Sequence, residues 1–130
     1  MANKLMYYEL FNDKADEFLK DLIENFSTFA TEFKRIKTCM MMLRNVDPKS
    51  PLRIFNDYVL KKYKDAILKK DESVFLEETQ YEIYSPRKEY WCEFIDNIKT
   101  IWKDLSNDNK EVIWKYFHVL VVLTEKCTII

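Results

Sequence analysis

The sequence predicts an all-α fold: a compact single-domain bundle of about five main helices plus one short helix, spanning residues 1–130. Three observations predict it. Apolar residues recur at i, i+3, i+4 and i+7 through five separate stretches, the spacing that gives a helix one buried stripe. Glycine is absent, and with it the usual turn residue of tight β-hairpins. The chain also carries 9 Phe, 8 Tyr and 3 Trp, enough large side chains to fill a core, since each removes roughly 150–250 Å² from water when buried. A chain of this length buries about two-thirds of its unfolded surface and needs no metal or disulfide to hold it.

In the first stretch Phe11, Ala15, Phe18, Leu22 and Phe26 align, flanked by Leu19 and Ile23. Ser27 or Thr28 is expected to cap a second helix carrying Phe29, Phe33, Ile36, Met40 and Leu43. Prolines at 48 and 51 in RNVDPKSP interrupt it, because proline lacks an N–H and clashes with the preceding turn. Ser50 before Pro51 reads as an N-cap with a first-turn proline, opening a third helix with the stripe Leu52, Phe55, Val59, Tyr63, Ala66 and Ile67. KKDESVFLEETQYEIY is read as one short helix near residues 72 to 78 and then an irregular link. Ser85 with Pro86 repeats the start signal for the fourth helix, whose stripe is Trp91, Phe94, Ile95, Ile98, Trp102 and Leu105 against polar Glu93, Asp96, Asn97, Lys99, Lys103 and Asp104. Asp108 with Glu111 three residues on is a capping-box-like start for the fifth. No repeat, heptad array or interdomain linker is visible.

The missing glycine excludes whole function classes. Phosphate-cradling loops, dinucleotide fingerprints and nucleophile elbows need it where the backbone turns to positive φ or approaches a ligand. Cys39, Cys92 and Cys127 are odd in number and widely spaced, so reduced thiols in a cytosol-like compartment are expected, without a metal-ligand or redox pair. The first residues lack the pattern of a signal peptide. The longest apolar-rich run, VIWKYFHVLVVL, is well short of the roughly 20 residues that span a bilayer. No membrane segment, metal or cofactor is expected.

Candidate chemistry is sparse. In the fifth helix Ile113, Tyr116, Phe117, Leu120 and Leu123 form one apolar face, widened by Val112, Trp114, Val119 and Val121. Glu111, Lys115, His118 and Glu125 form a thin polar strip. His118, the only histidine, therefore falls on a wet seam, and Cys127 lies about 180° round the helix from it. A Cys–His dyad needs Cys39 or Cys92 from elsewhere, and a solvent-edge histidine is the expected outcome. The acidic run Asp71, Glu72, Glu77, Glu78 and Glu82 lacks a calcium-loop pattern and reads as a solvated face. In TCMMMLRN, three consecutive methionines point in three directions; core filling is the expected role, an adaptable partner groove the alternative.

Charge is segregated by thirds. Residues 1–33 carry a net −4, residues 34–70 a net +8 and residues 71–130 a net −5. The basic block could gather Lys34, Arg35, Lys37, Arg44, Lys61, Lys62, Lys64, Lys69 and Lys70, with Lys49 and Arg53, into a patch for nucleic acid or an acidic partner. Alternatively, it is neutralised internally by the acidic segments on either side. Tyr7, Tyr8, Tyr81, Tyr84 and Tyr90, near chain ends or irregular stretches, are candidate contact aromatics, or simply cover the ends of the core.

Residues rich in A/T codons (Phe, Tyr, Met, Ile, Asn and Lys) number 58, against 11 for Gly, Ala, Arg and Pro, which points to an A/T-rich gene. In the phrases NVDPKSPLRIFNDYVLKKYKDAILKKDESVFLEE and IWKDLSNDNKEVIWKYFHVLVVLTEKC the chain resembles small helical proteins encoded by large DNA viruses of algae and protists. The resemblance covers most of the chain from about residue 40 and carries no catalytic or binding residue across. It implies virion assembly or engagement of a host protein, in the virion or the cytoplasm of an infected cell. The expectation is thus a non-enzymatic protein–protein interaction module, with RNA or DNA binding through residues 34–70 as the alternative. Self-association of the chain is also open.

Overall fold

The computed structural model describes residues 4–76 and 90–128, and among these no strand occurs. Helix α1 covers Lys4–Asn25. Its buried line is the predicted one extended a turn towards the N-terminus: Tyr8, Phe11, Ala15, Phe18, Leu19 and Leu22. A 3-10 turn, Ser27–Phe29, leads into α2, Ala30–Val46, which buries Phe33, Ile36 and Met40. Neither Ser27 nor Thr28 caps α2 as expected: Phe26 precedes the turn, Phe29 precedes the helix, and neither cap position has a side-chain hydrogen bond. The link is instead closed by backbone bonds, Phe26 N–H to Leu22 O at 2.9 Å and Phe29 N–H to Phe26 O at 3.1 Å. Both Phe rings pack on the core, which turns the chain without a polar cap.

Beyond α2, Asp47 organises the proline segment. Its Oδ1 accepts from Lys49 N–H at 3.1 Å and its carbonyl from Ser50 N–H at 2.9 Å. Ser50 is therefore the first residue of α3, Ser50–Phe55, rather than its cap, and Lys49 holds the cap position. Asp47 forms the aspartate turn that preempts the serine. The helix continues through a π turn, Asn56–Leu60, where Lys61 N–H reaches back to the Asn56 carbonyl, into α4, Lys61–Lys69. The stripe explains the turn. Phe55, Val59, Tyr63 and Ile67 repeat every fourth residue, so a straight α-helix would separate the first and last by about 120°. The extra residue of a π turn cuts this to about 20°, and all four are buried.

Helix α4 ends on Lys70, with φ 55°. Lys70 N–H bonds to Ile67 O at 3.2 Å and Asp71 N–H to Ala66 O at 2.8 Å, the paired closure of a Schellman motif. A chain with no glycine has put lysine in the position glycine normally takes. Short α5, Glu72–Phe75, is started by Asp71, whose Oδ1 accepts from Ser73 N–H at 3.1 Å and Ser73 Oγ at 2.7 Å. The remainder of the predicted 72 to 78 helix past residue 76, and the Ser85–Pro86 start, lie outside the described residues.

Helix α6, Tyr90–Trp102, buries Trp91, Phe94, Ile95, Ile98 and Trp102, with Leu105 just past its end, as the stripe predicts. Helix α7, Asn107–Thr128, starts earlier than the Asp108–Glu111 pair suggests. Asp104 N–H bonds to Ile101 O and Leu105 N–H to Trp102 O, which ends α6 and leaves Ser106 to cap, its Oγ accepting from Asn109 N–H at 3.1 Å. Asp108 lies in the first turn, where a carboxylate complements the helix dipole.

One buried cluster draws on α1, α2, the α3–α4 rod, α6 and α7, five rods with α5 as the short sixth helix. Phe94 sits at its centre, with ring centroids 5.1 Å from Phe18, 5.9 Å from Phe33, 5.3 Å from Trp91 and 6.0 Å from Phe117. The buried indole of Trp91 donates to Pro51 O at 3.1 Å, and Trp102 donates to the Glu72 carboxylate. Fully buried Asn12 donates from Nδ2 to Pro48 O at 2.9 Å, latching the α2–α3 link to α1.

Phe94→Ala is expected to cost about 3–5 kcal/mol in urea unfolding, because it removes a ring whose neighbours come from four rods. Lys70→Gly, made in a Glu111→Gln background so that the Lys70–Glu111 ion pair is already gone, is expected to raise stability by about 1 kcal/mol by relieving the left-handed backbone. Denaturation curves of the two backgrounds check this.

Candidate interaction surface

The basic block is split among several helix seams. Lys37 and Arg44 on α2 pair with Asp16 and Asp13 on α1, at 3.8 and 2.8 Å, and Arg35 pairs with Glu93 on α6 at 3.1 Å. On α4, Lys64 reaches Glu125 of α7 at 2.6 Å, and Lys70 just beyond it reaches Glu111 at 2.6 Å. The hydrogen bond and charge of Glu125 raise the Lys64 pKa above its ordinary value. Arg53 and Lys61 pair within their own segment, with Asp47 and Asp57. Lys49 lies over the Tyr8 ring and Lys62 over Tyr63, while Lys34 and Lys69 are exposed. Five of the basic residues thus meet carboxylates from the acidic thirds of the chain.

Tyr8, proposed from sequence as a contact aromatic, is only 8 % exposed, because it falls in register with Phe11 and Ala15 on the inner side of α1. Tyr7 is half-buried beneath Lys126, whose Nζ is 5.5 Å from the ring centroid. Tyr81 and Tyr84 lie outside the described residues, and Tyr90 is the first residue of α6. His118 is exposed on α7, as its wheel position predicts. Cys127, further along α7, is buried, and burial pushes its thiol pKa up. Cys39 is exposed and Cys92 half-buried. Among the described residues no three His, Cys, Asp or Glu side chains are placed to hold a metal ion, and no helix is long and apolar enough to cross a membrane.

A cleft of about 150 Å³ opens between the C-terminal half of α1 and the N-terminal half of α7, with Phe18, Phe26, Val112, Ile113 and Tyr116 among its lining residues. It is smaller than the roughly 300–1,000 Å³ typical of small-molecule sites. Tyr116 stacks on Phe18 with centroids 4.5 Å apart and planes 3° from parallel, and its hydroxyl donates to the Asp21 carboxylate. Burial, and then Asp21, raise the phenol pKa well above its ordinary value. The periodicity of α7 places Tyr116 on the apolar face, but the Asp21 partner depends on how α1 lies against it and has no local signal.

Apolar exposure is concentrated elsewhere. Of nine exposed large hydrophobic residues among those described, six are Leu5, Met6, Leu10, Met41, Met42 and Val46. They lie at one end of the antiparallel α1–α2 pair: Asn12 bonds to Pro48, Lys49 covers Tyr8, and Asp13 pairs with Arg44. Of the consecutive methionines only Met40 fills the core. Met41 and Met42 face out, because a helix turns about 100° per residue and one position in three can point inward. The sequence signal for this surface was the set of apolar residues falling off each stripe.

The fold and this surface define an all-α bundle with an apolar end. No family model matches the chain, and no curated protein or solved structure is detectably similar to it.

Tyr116→Phe is expected to lower stability by about 1 kcal/mol near neutral pH through loss of the hydrogen bond to Asp21. A raised phenol pKa contributes stability that is fully present below pH 10, the ordinary value, and is lost as pH rises towards the folded value. The difference between wild type and variant should therefore shrink on the alkaline side, which urea denaturation across a pH series measures.

Proposed function

We propose that this chain is a non-enzymatic protein–protein interaction module of a large DNA virus infecting algae or protists, acting in virion assembly or in engaging a host protein. The observation that carries the reading is the gathering of Leu5, Met6, Leu10, Met41, Met42 and Val46 at one end of the α1–α2 pair. Single exposed apolar residues are ordinary on a protein surface; six of them at the same end of one helix pair support a contact site there. Resemblance to small viral helical proteins, and the A/T-rich residue usage that accompanies it, support this reading of the source, and with it action in the infected cytoplasm or the particle.

Affinity capture with the tagged full chain from infected-cell lysate, with quantitative mass spectrometry of what is retained, tests the reading. The expected result is at least one protein held at near-stoichiometric ratio to the bait. Recovery of none, from both lysate and purified particles, would count decisively against an interaction module.

A further inference from the structure

The cleft on the α1–α7 seam has mostly apolar walls, Phe18, Phe26 and Ile113 among them, with the exposed amides of Asn25 and Asn109 beside these. Asp21 is the one charged residue among those that line it. Its charge has no counter-ion: Oδ2 accepts from the neutral Tyr116 hydroxyl, and no cation reaches the carboxylate among the described residues. The neighbouring lysines are engaged or turned aside. Lys14, over the Tyr116 ring, pairs with Glu17 at 3.1 Å, and Lys110 pairs with Glu72 at 2.8 Å. Lys20 and Lys115 each stand one residue, about 100°, round their helices from a lining residue, and neither lines the cleft. The backbone adds to the negative field, because the cleft lies at the C-terminal end of α1, where a helix dipole favours cations, and the last turn of α1 holds Glu24 and no basic residue. The opposite dipole end, at the start of α7, meets Asp108 in its own first turn.

We propose that this cleft binds a small alkylammonium, its carbon chain against the apolar walls and its ammonium on Asp21. Asn25 donates from Nδ2 to the Asp21 carbonyl at 2.7 Å, which leaves its Oδ1 as a second acceptor. The size agrees: an apolar cavity of about 150 Å³ takes benzene, a guest of about six heavy atoms, and a five-carbon amine has as many. A carboxylate guest would meet Asp21 with like charge, a neutral one would leave it uncompensated, and a hard metal ion needs about six or more oxygen ligands. Free amines and lysine side chains share this chemistry. The site is at the far end of α1 from Leu5, Met6 and Leu10, and does not depend on the reading of that apolar end.

The probe is n-pentylammonium chloride, titrated into the isotope-labelled full chain by NMR at fixed ionic strength. Saturable shifts that include the side-chain amides of Asn25 and Asn109 are expected, with affinity at least tenfold above that of n-pentanol or pentanoate. Affinity should fall at least tenfold in Asp21→Asn, which still accepts from the Tyr116 hydroxyl. It should fall as far in Val112→Trp, which fills the cleft from a position 47 % exposed and so spares the core; circular dichroism shows that each variant is folded. Shifts reproduced by sodium chloride alone overturn the proposal. So does equal affinity for pentanol or pentanoate, or a folded variant that binds as tightly as wild type. An acetylated lysine methylamide that binds at least as tightly as the amine assigns the guest to a partner's side chain, and one that binds tenfold more weakly assigns it to a free amine.

Discussion

The structure depends on one aromatic network. Phe94 of α6 meets Phe18 of α1, Phe33 of α2 and Phe117 of α7, and through Trp91 the network reaches Phe11 and Phe55, so every long rod contributes at least one ring. The contacts of Phe94 are edge-to-face, the geometry the ring quadrupole favours, each adding about 0.5–1.5 kcal/mol beyond burial. Edge-to-face packing is directional. It sets the angle of one rod on the next, and with that the outward direction of every residue off the stripes, including the exposed arc of α2.

Charge works on a looser scale around this core. The pairs that join the basic middle third to its acidic neighbours are partly or largely exposed, and pairs of that kind contribute only about 0–1 kcal/mol each. Their effect is on the surface the molecule presents. Pairing consumes much of the middle third's charge at the seams to α1, α6 and α7, and on α2 it takes up Arg35, Lys37 and Arg44. A phosphate backbone is matched by extended charge, whereas these pairs set the basic residues against carboxylates at separate seams.

Period was the legible part of the fold. The stripes of α1, α2, the α3–α4 rod, α6 and α7 could be written from the sequence because burial of a helix face follows spacing alone. Ends were less legible, since Asp47 competes with Ser50, and Ser106 with Asp108, and the winner depends on how the preceding helix closes. The π turn was hidden in plain sight: a strict four-residue repeat from Phe55 to Ile67 outruns an α-helix, and the backbone rather than the stripe gives way. The apolar end was legible only as residues off each stripe, and not as a place, because it takes contacts such as Asn12 to Pro48 to bring residues 5–10 and 41–46 to the same end.

Helix α1 packs more extensively on α7 than on any other element, and the bonds between them, such as Tyr116 to Glu17, span 99 residues. During synthesis at roughly 5–20 residues per second, the aromatic face of α1 therefore emerges many seconds before the surface that will cover it. The nascent chain must carry the side of Phe18 and Leu22 that meets α7 uncovered until that helix arrives, which makes the window before α7 is complete the interval in which this molecule is most exposed to chaperones and to aggregation.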